Sequence, residues 1–349
     1  MNFARISLLG GSTGYYISLN SIHAHIPHVG VGTVKCIAPK GKRTAAMIMD
    51  TPGWITERIL LLGRRESCVY LIKGNDEYAL IGGGTAYIIP DILDQLKRFD
   101  VPEDQIGRMI ILHAHFDHCG IIPFFKKRWP WAVVAASVRA QVLLSTPKVV
   151  QSIAKLNQFM ISSSGRDDVA RSLGIEFPGI TIEQVLKDGD TLMCGGMRLE
   201  VMDVPGHSSC SLAVYMPEEK ALFASDAGGI PFGDNVFTAA NSNFDQYMIS
   251  LDKMSGYDVD IHLAEHYGAR TGTDGREFLQ KAKASAIKTR KILEDSYTVT
   301  RDIAQSTEEI TKILMVDSPV DFFPQEVVAL VVGQMLAYIA KQKLEPNQA

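Results

Sequence analysis

The sequence predicts an α/β (α+β) protein with two β-sheets packed inside outer helices and a helical appendix after residue 270. Three observations predict it. Short apolar runs separated by turn residues recur over 56–136 and again over 191–264. Segments of helical periodicity lie between and after them. A chain of 349 residues, 46% hydrophobic and 21% charged, has the size and composition of a soluble globular protein with a full core.

Residues 1–50 read as a poorly defined N-terminal extension. Gly10-Gly-Ser-Thr-Gly14 lacks the Gly-Lys-Ser/Thr ending of a phosphate loop. His23, His25 and His28 have no carboxylate or thiol beside them and read as solvated loop histidines. Met47 is an alternative start. Strands are expected at 59–62, 68–72 and 78–81, each pair divided by a polar turn. Pro90 opens a helix through Phe99, since proline is tolerated in a first turn. Strands follow at 109–112 and 131–135.

Residues 137–190 read as mostly helical, with an insert at about 137–175 whose Val149, Val150, Ile153, Leu156 and Met160 recur at helical spacing. Strands resume at 191–193, 198–202, 211–215 and 221–224, then a helix near 244–255 and a strand at 260–264. Residues 271–349 form a C-terminal helical cap, with helices at about 275–295, 301–315 and 325–341. The run from Val327 to Val332, with Met335, Leu336 and Ile339, exceeds one amphipathic face. Core packing, an acyl pocket and a homodimer seam through these helices all fit it. Lys288, Arg290 and Lys291 read as a solvated helix face, with a coenzyme A phosphate as the alternative.

A net charge of −4 argues against a broad nucleic-acid footprint. No apolar run reaches the roughly 18 residues of a membrane span, and the N-terminus makes a poor signal peptide. The five cysteines, odd in number and without a CxxC pair, suit a reduced, cytoplasmic setting.

The chemistry concentrates in His113, His115, Asp117 and His118, four strong ligands within six residues after an apolar run. Burying them unpaired would cost several kcal/mol, and a pair of divalent cations satisfies them together. His207, Asp226 and His266 follow, each beside an expected strand end. Imidazole and carboxylate donors without thiolate suit zinc, iron or manganese. Seven donors suffice for two ions: His113, His115 and His207 on one, Asp117, His118 and His266 on the other, with Asp226 bridging. Such a pair generates a hydroxide near neutral pH. Cys119 and Cys210 lie beside ligands but read as small buried thiols, and His262 as a structural histidine.

His113-Ala-His-Phe-Asp-His118, Gly206-His207, Ser225-Asp226 and Glu265-His266, in this order, resemble the ligand motifs of the metallo-β-lactamase superfamily. The resemblance spans about 56–270. It implies a four-layer αββα sandwich over about 51–270, with the dinuclear site at one sheet edge. A closer resemblance, on residues 115–124, the insert near 148–159 and Val320-Asp-Phe-Phe-Pro324, is to the 2-aminobenzoylacetyl-coenzyme A thioesterases of quinolone biosynthesis. It implies that the C-terminal helices form a lid. Two positions depart from the superfamily pattern. Gly82-Gly-Gly84 stands where many members carry Asp, and Glu265 precedes the last ligand where Gly is usual.

The expected reaction is therefore attack of the bridging hydroxide on a small-molecule ester or thioester, with Asp117 and Asp226 orienting it. A thiolate leaving group, with a parent pKa of about 8.5, needs no strong general acid. Glyoxalase-II-like cleavage and lactone hydrolysis remain open, with Arg270 and Tyr267 available to either substrate. Outside hydrolysis, an iron-dependent oxygenase or a metal-retaining interaction protein remain.

Overall fold

The computed structural model describes residues 47–316 and 323–344. The glycine loop at 10–14, His23, His25, His28, Cys36 and residues 320–322 lie outside the described residues.

β1 (Met47–Met49) crosses at once to the second sheet. The first sheet takes β2 (Gly53–Trp54), β3 (Ile59–Arg64), β4 (Ser67–Lys73), β5 (Tyr78–Ile81), β6 (Ile106–Ile110), β7 (Val133–Ser137) and β8 (Gln184–Leu186), side by side in chain order. Its helices are α1 (Ile89–Arg98), α2 (Ile122–Arg128), α3 (Val138–Ser145), α4 (Pro147–Ser163) and α5 (Asp167–Leu173). The second sheet adds β9 (Thr191–Cys194), β10 (Met197–Asp203), β11 (Leu212–Met216), β12 (Ala221–Phe223), β15 (Ile261–Leu263) and β16 (Ala269–Thr271) to β1. A hairpin of β13 (Ile230–Phe232) and β14 (Asn235–Phe237) stands apart. The second sheet's helices are α6 (Phe244–Ser255), α7 (Gly272–Thr300), α8 (Ile303–Met315) and α9 (Gln325–Leu344).

Alternation along the strands creates the layers. In β3, Ile59 and Leu61 enter the core between the sheets, whereas Leu60 and Leu62 face α1–α5. In β11, Leu212, Val214 and Met216 enter that same middle core, and Ala213 and Tyr215 face α6–α9. The result is the expected αββα sandwich, with helices at its C-terminal end.

The helices follow the same logic. Pro90 sits in the first turn of α1, and Ile89, Ile92 and Leu96 recur every three or four residues to meet the sheet. In α4 the buried stripe is Val149, Ile153, Asn157 and Ile161, so an amide occupies a core position that an apolar-only reading passed over. Asn157 Oδ1 accepts from Ala86 N (2.8 Å), and its Nδ2 donates to Phe116 O (3.1 Å). The insert thereby holds the loop that carries the first histidines. In α9, Val328, Val332, Met335, Leu336 and Ile339 are buried in the outer core, whereas Val327 is exposed and Ala329 and Leu330 are half-buried.

Three expected elements shift. The strand expected at 109–112 runs from Ile106 to Ile110, because the chain then leaves its ladder and Leu112 O accepts from Leu212 N (2.7 Å) across the sandwich. The strand expected at 131–135 begins at Val133, where pairing with Arg108 starts; Trp131 is 51% exposed. The helical reading of 137–190 ends at Leu173, where Gly174 turns left-handed, and residues 184–186 are the edge strand β8. The strands that went unpredicted (β1, β2, β8, β13, β14 and β16) are two or three residues long. No helix among the described residues is long and apolar enough to cross a membrane.

Two substitutions test how the fold holds its loops. Gly206 has φ +130°, and an added Cβ would lie 2.2 Å from Tyr247 N. Gly206→Ala should cost about 2–4 kcal/mol through strain and overpacking against α6, read from denaturant unfolding; a change within error would contradict this packing. Asn157→Ala should cost about 1–3 kcal/mol by leaving a buried N–H and C=O unpaired. Equal midpoints for variant and parent would show that α4 does not hold the loop.

Candidate metal centre

Four loops from both sheets meet at one edge of the sandwich. His113 to His118 follow β6 and end in a 3-10 turn, Phe116–His118. Gly120 N donates to Gly84 O (2.7 Å) and Ile121 N to Gly83 O (3.0 Å), tying this loop to the end of β5. His207 follows β10 and Asp226 follows β12 in the 3-10 turn Ser225–Gly228. β10 and β12 are each antiparallel to β11, so they end on the same side, and β15, parallel to β12, ends there too. His266 lies in the turn after β15. That turn docks on the first sheet, with Cys68 N donating to Glu265 O and Tyr267 N to Arg65 O, both at 2.7 Å. Ser225 and Tyr267 carry positive φ values of 50° and 57° beside the two ligand candidates. Left-handed backbone at a non-glycine residue costs about 1–3 kcal/mol and persists where the surroundings enforce it.

The seven residues singled out in the sequence converge in two groups. His113 Nε2, His115 Nδ1 and His207 Nε2 form a triangle with sides of 3.0, 3.1 and 3.2 Å. Opposite, His118 Nε2 and His266 Nε2 lie 3.1 Å apart, with Asp117 Oδ2 at 3.5 and 3.6 Å from them. Asp226 Oδ2 stands between, 3.2 Å from His118 Nε2, 3.4 Å from His207 Nε2 and 3.7 Å from His266 Nε2. His113, His118, His207, Asp226 and His266 are buried, whereas His115 and Asp117 are half-buried and mark the open side.

The outer faces of the rings fix their protons. His207 Nδ1 faces Ala239 O and His266 Nδ1 faces Glu66 O, both at 2.8 Å. A carbonyl only accepts, so each Nδ1 carries the hydrogen and each Nε2 points inward. Burial, reinforced by His118 and His115, holds His113 well below the ordinary imidazole range. Burial and His207 bring His115 to about 3, and burial lowers His207 as well. Three neutral imidazoles thus aim nitrogens at one point. His118 and His266 differ: burial would lower them, but Asp226 and Asp117 outweigh it and raise both. Burial would raise Asp226 and Asp117, but the facing imidazoles hold both carboxylates below their usual range.

A cation fits this donor set. Nitrogens at about 2.0–2.1 Å from a tetrahedral zinc would lie roughly 3.3–3.4 Å apart, close to the triangle observed. His113, His115 and His207 form one group able to hold a metal ion, and Asp117, His118 and His266 another. The orphaned Asp226 Oδ1 is a further buried donor.

Other candidates resolve differently. Cys119 and Cys210 are buried thiols pushed up by burial; Cys119 Sγ donates to His115 O (3.2 Å) and Cys210 Sγ accepts from Ala114 N (3.3 Å). Both brace the ligand loop. His262 is fully buried, stacks on Phe278 with ring centroids 4.0 Å apart, and is lowered by burial to about 3. Arg270 and Tyr267, read in the sequence as available to a substrate, are buried: the Arg270 guanidinium donates to Tyr267 O (3.1 Å) and Ala269 O (3.3 Å). Arg290 pairs with Asp245 and Glu294, and Lys291 with Asp295, as a solvated helix face would. The residues that sequence reasoning missed are supports: Asn157, Ser225 and the carbonyls of Ala239 and Glu66. Carbonyl supports carry no side-chain signal.

Comparison with known proteins agrees with this geometry. The chain is 26% identical over 205 residues to an acyl-coenzyme A thioesterase MBLAC2 of Gallus gallus, covering 58% of this chain and 70% of that one. With the Homo sapiens protein of the same name it shares 28% over 180 residues, 50% of this chain and 62% of that one. A hydroxyacylglutathione hydrolase of Parasynechococcus marenigrum is 26% identical over 175 residues, 50% and 53% of the two chains. Among solved structures, the metallo-beta-lactamase family protein TTHA1429 of Thermus thermophilus superposes with a TM-score of 0.58 at 19% identity, over 82% of this chain and 93% of that one. The model of the Metallo-beta-lactamase superfamily matches residues 62–266. The chain belongs to the metallo-β-lactamase superfamily.

Proposed function

We propose that the protein is a dinuclear hydrolase that cleaves a thioester of the acyl-coenzyme A kind. The observation that carries this reading is Asp226 Oδ2, which lies within 3.2–3.4 Å of one nitrogen from each donor group. One carboxylate so placed is suited to bridge two ions, held by His113, His115 and His207 and by Asp117, His118 and His266. When bound, two divalent cations supply Lewis acidity and a water that ionises near pH 7. Zinc or iron suits these donors, and manganese is compatible with them.

The chain's own residues do the rest. Asp117, half-buried on the open side, orients the attacking water, and Asp226 fixes the spacing of the two groups. His115 borders the same opening, where a carbonyl would enter. The Phe323 ring meets His266 edge-on, 5.1 Å between centroids, and Phe323 lies two residues before α9. This contact supports a cap made by α7–α9, which limits water around the reacting carbon. A departing thiolate needs no donated proton near neutral pH, and this reading assigns no separate acid. The names of the relatives support the thioester, with coenzyme A or glutathione as its thiol.

Two outcomes are expected. Metal-loaded protein should carry two divalent ions per chain, and Asp226→Ala should retain at most one and lose turnover; two ions in that variant would remove the bridge. In a substrate panel, kcat/KM for acyl-coenzyme A thioesters should exceed that for lactones, oxygen esters and β-lactams by at least about tenfold, near 1.4 kcal/mol. Chelation should abolish turnover and added metal restore it. A preference for lactones would redirect the substrate assignment, and substrate-dependent oxygen uptake would overturn hydrolysis.

A further inference from the structure

The two departures from the superfamily pattern, Gly82 and Glu265, meet in space. Glu265 is 2% exposed, and its Oε2 lies 3.0 Å from His118 Nδ1, the outward nitrogen of that ring. The approach is within ion-pair range, without an aligned hydrogen bond in this conformation. Ser225 Oγ donates to the same Oε2 and lies 3.2 Å from His113 Nδ1. One buried carboxylate therefore backs a ring from each donor group, directly for His118 and through a hydroxyl for His113. Gly82 makes the room: a Cβ there would fall 2.4 Å from Glu265 Oε1, and its φ is +87°.

We propose that Glu265 is the positioning residue of this centre. It holds the Nδ1 proton of His118 so that Nε2 faces the cation, and Gly82 is glycine because that carboxylate fills the space beside it. An outer carboxylate of this kind fixes the tautomer and orientation of a ligating imidazole and raises its basicity. Glu265 touches no reacting atom. His113, His118 and Glu265 also lie close enough to suggest a cation among themselves. That would require both imidazoles to ligate through both nitrogens and lose their ring protons, which disfavours it. The proposal rests on the two donor groups being metal sites.

The test measures metal affinity by competition with a chromogenic chelator, alongside unfolding midpoints, in the full chain. Glu265→Ala should weaken affinity about 10- to 100-fold, the usual effect of removing an outer-sphere partner, with two ions still bound at saturation. Glu265→Gln, of the same shape, should recover part of that loss and guards against misfolding of the alanine variant. Gly82→Ala should weaken affinity in the parent and weaken it less in Glu265→Ala, where the displaced carboxylate is gone and only the backbone strain at φ +87° remains. Affinity of folded Glu265→Ala and Glu265→Gln within about twofold of the parent would overturn the proposal. So would a third ion in the parent that is lost with Glu265. A parent that binds no metal would instead overturn the metal reading beneath it, and this proposal with it.

Discussion

Everything at this edge of the sandwich depends on one electrostatic constraint: three neutral imidazole nitrogens converge beside two carboxylates. His113, His115 and His207 bring three neutral nitrogens within 3.2 Å of each other, and two carboxylates held in their charged form stand beside them. A divalent cation held there would turn the repulsion into coordination. Under the proposed function, stability and reactivity would be set by the same atoms.

The fold's contribution is to hold that arrangement open against its own repulsion. The ligand loops emerge from both sheets and are fastened by backbone bonds that cross between them, Leu212 N to Leu112 O and Cys68 N to Glu265 O. Strained residues at Ser225 and Tyr267 sit beside ligand candidates. Asn157 reaches in from the insert, and Phe323 from the segment before α9. Segments from both outer layers therefore bear on the site.

Much of this was legible in the sequence because it is written in local pattern. The long strands β3, β4 and β5 announce themselves by apolar runs between polar turns, and α6 falls on its expected bounds. The donor residues stand out because clustered histidines and aspartates have no core role. What stayed hidden is non-local. Strands of two or three residues have no periodicity to read. Leu112 looks like a ladder residue, but Ile111 N makes the last bond to β7 at Ala135 O, and Leu112 O accepts from Leu212 N of the second sheet. Gly82 and Glu265 are 183 positions apart, visible as two separate oddities and joined only by folding. Arg270 has the charge of a substrate contact, but β16 turns it into the interior.

The most direct test of the central claim is a metal-loaded crystal examined by anomalous scattering at the metal's absorption edge. The account predicts two peaks about 3.5–4 Å apart, one among His113, His115 and His207, the other among Asp117, His118 and His266, with Asp226 between. A single peak, or ions bound elsewhere while these donors stay apart from any cation, would contradict it.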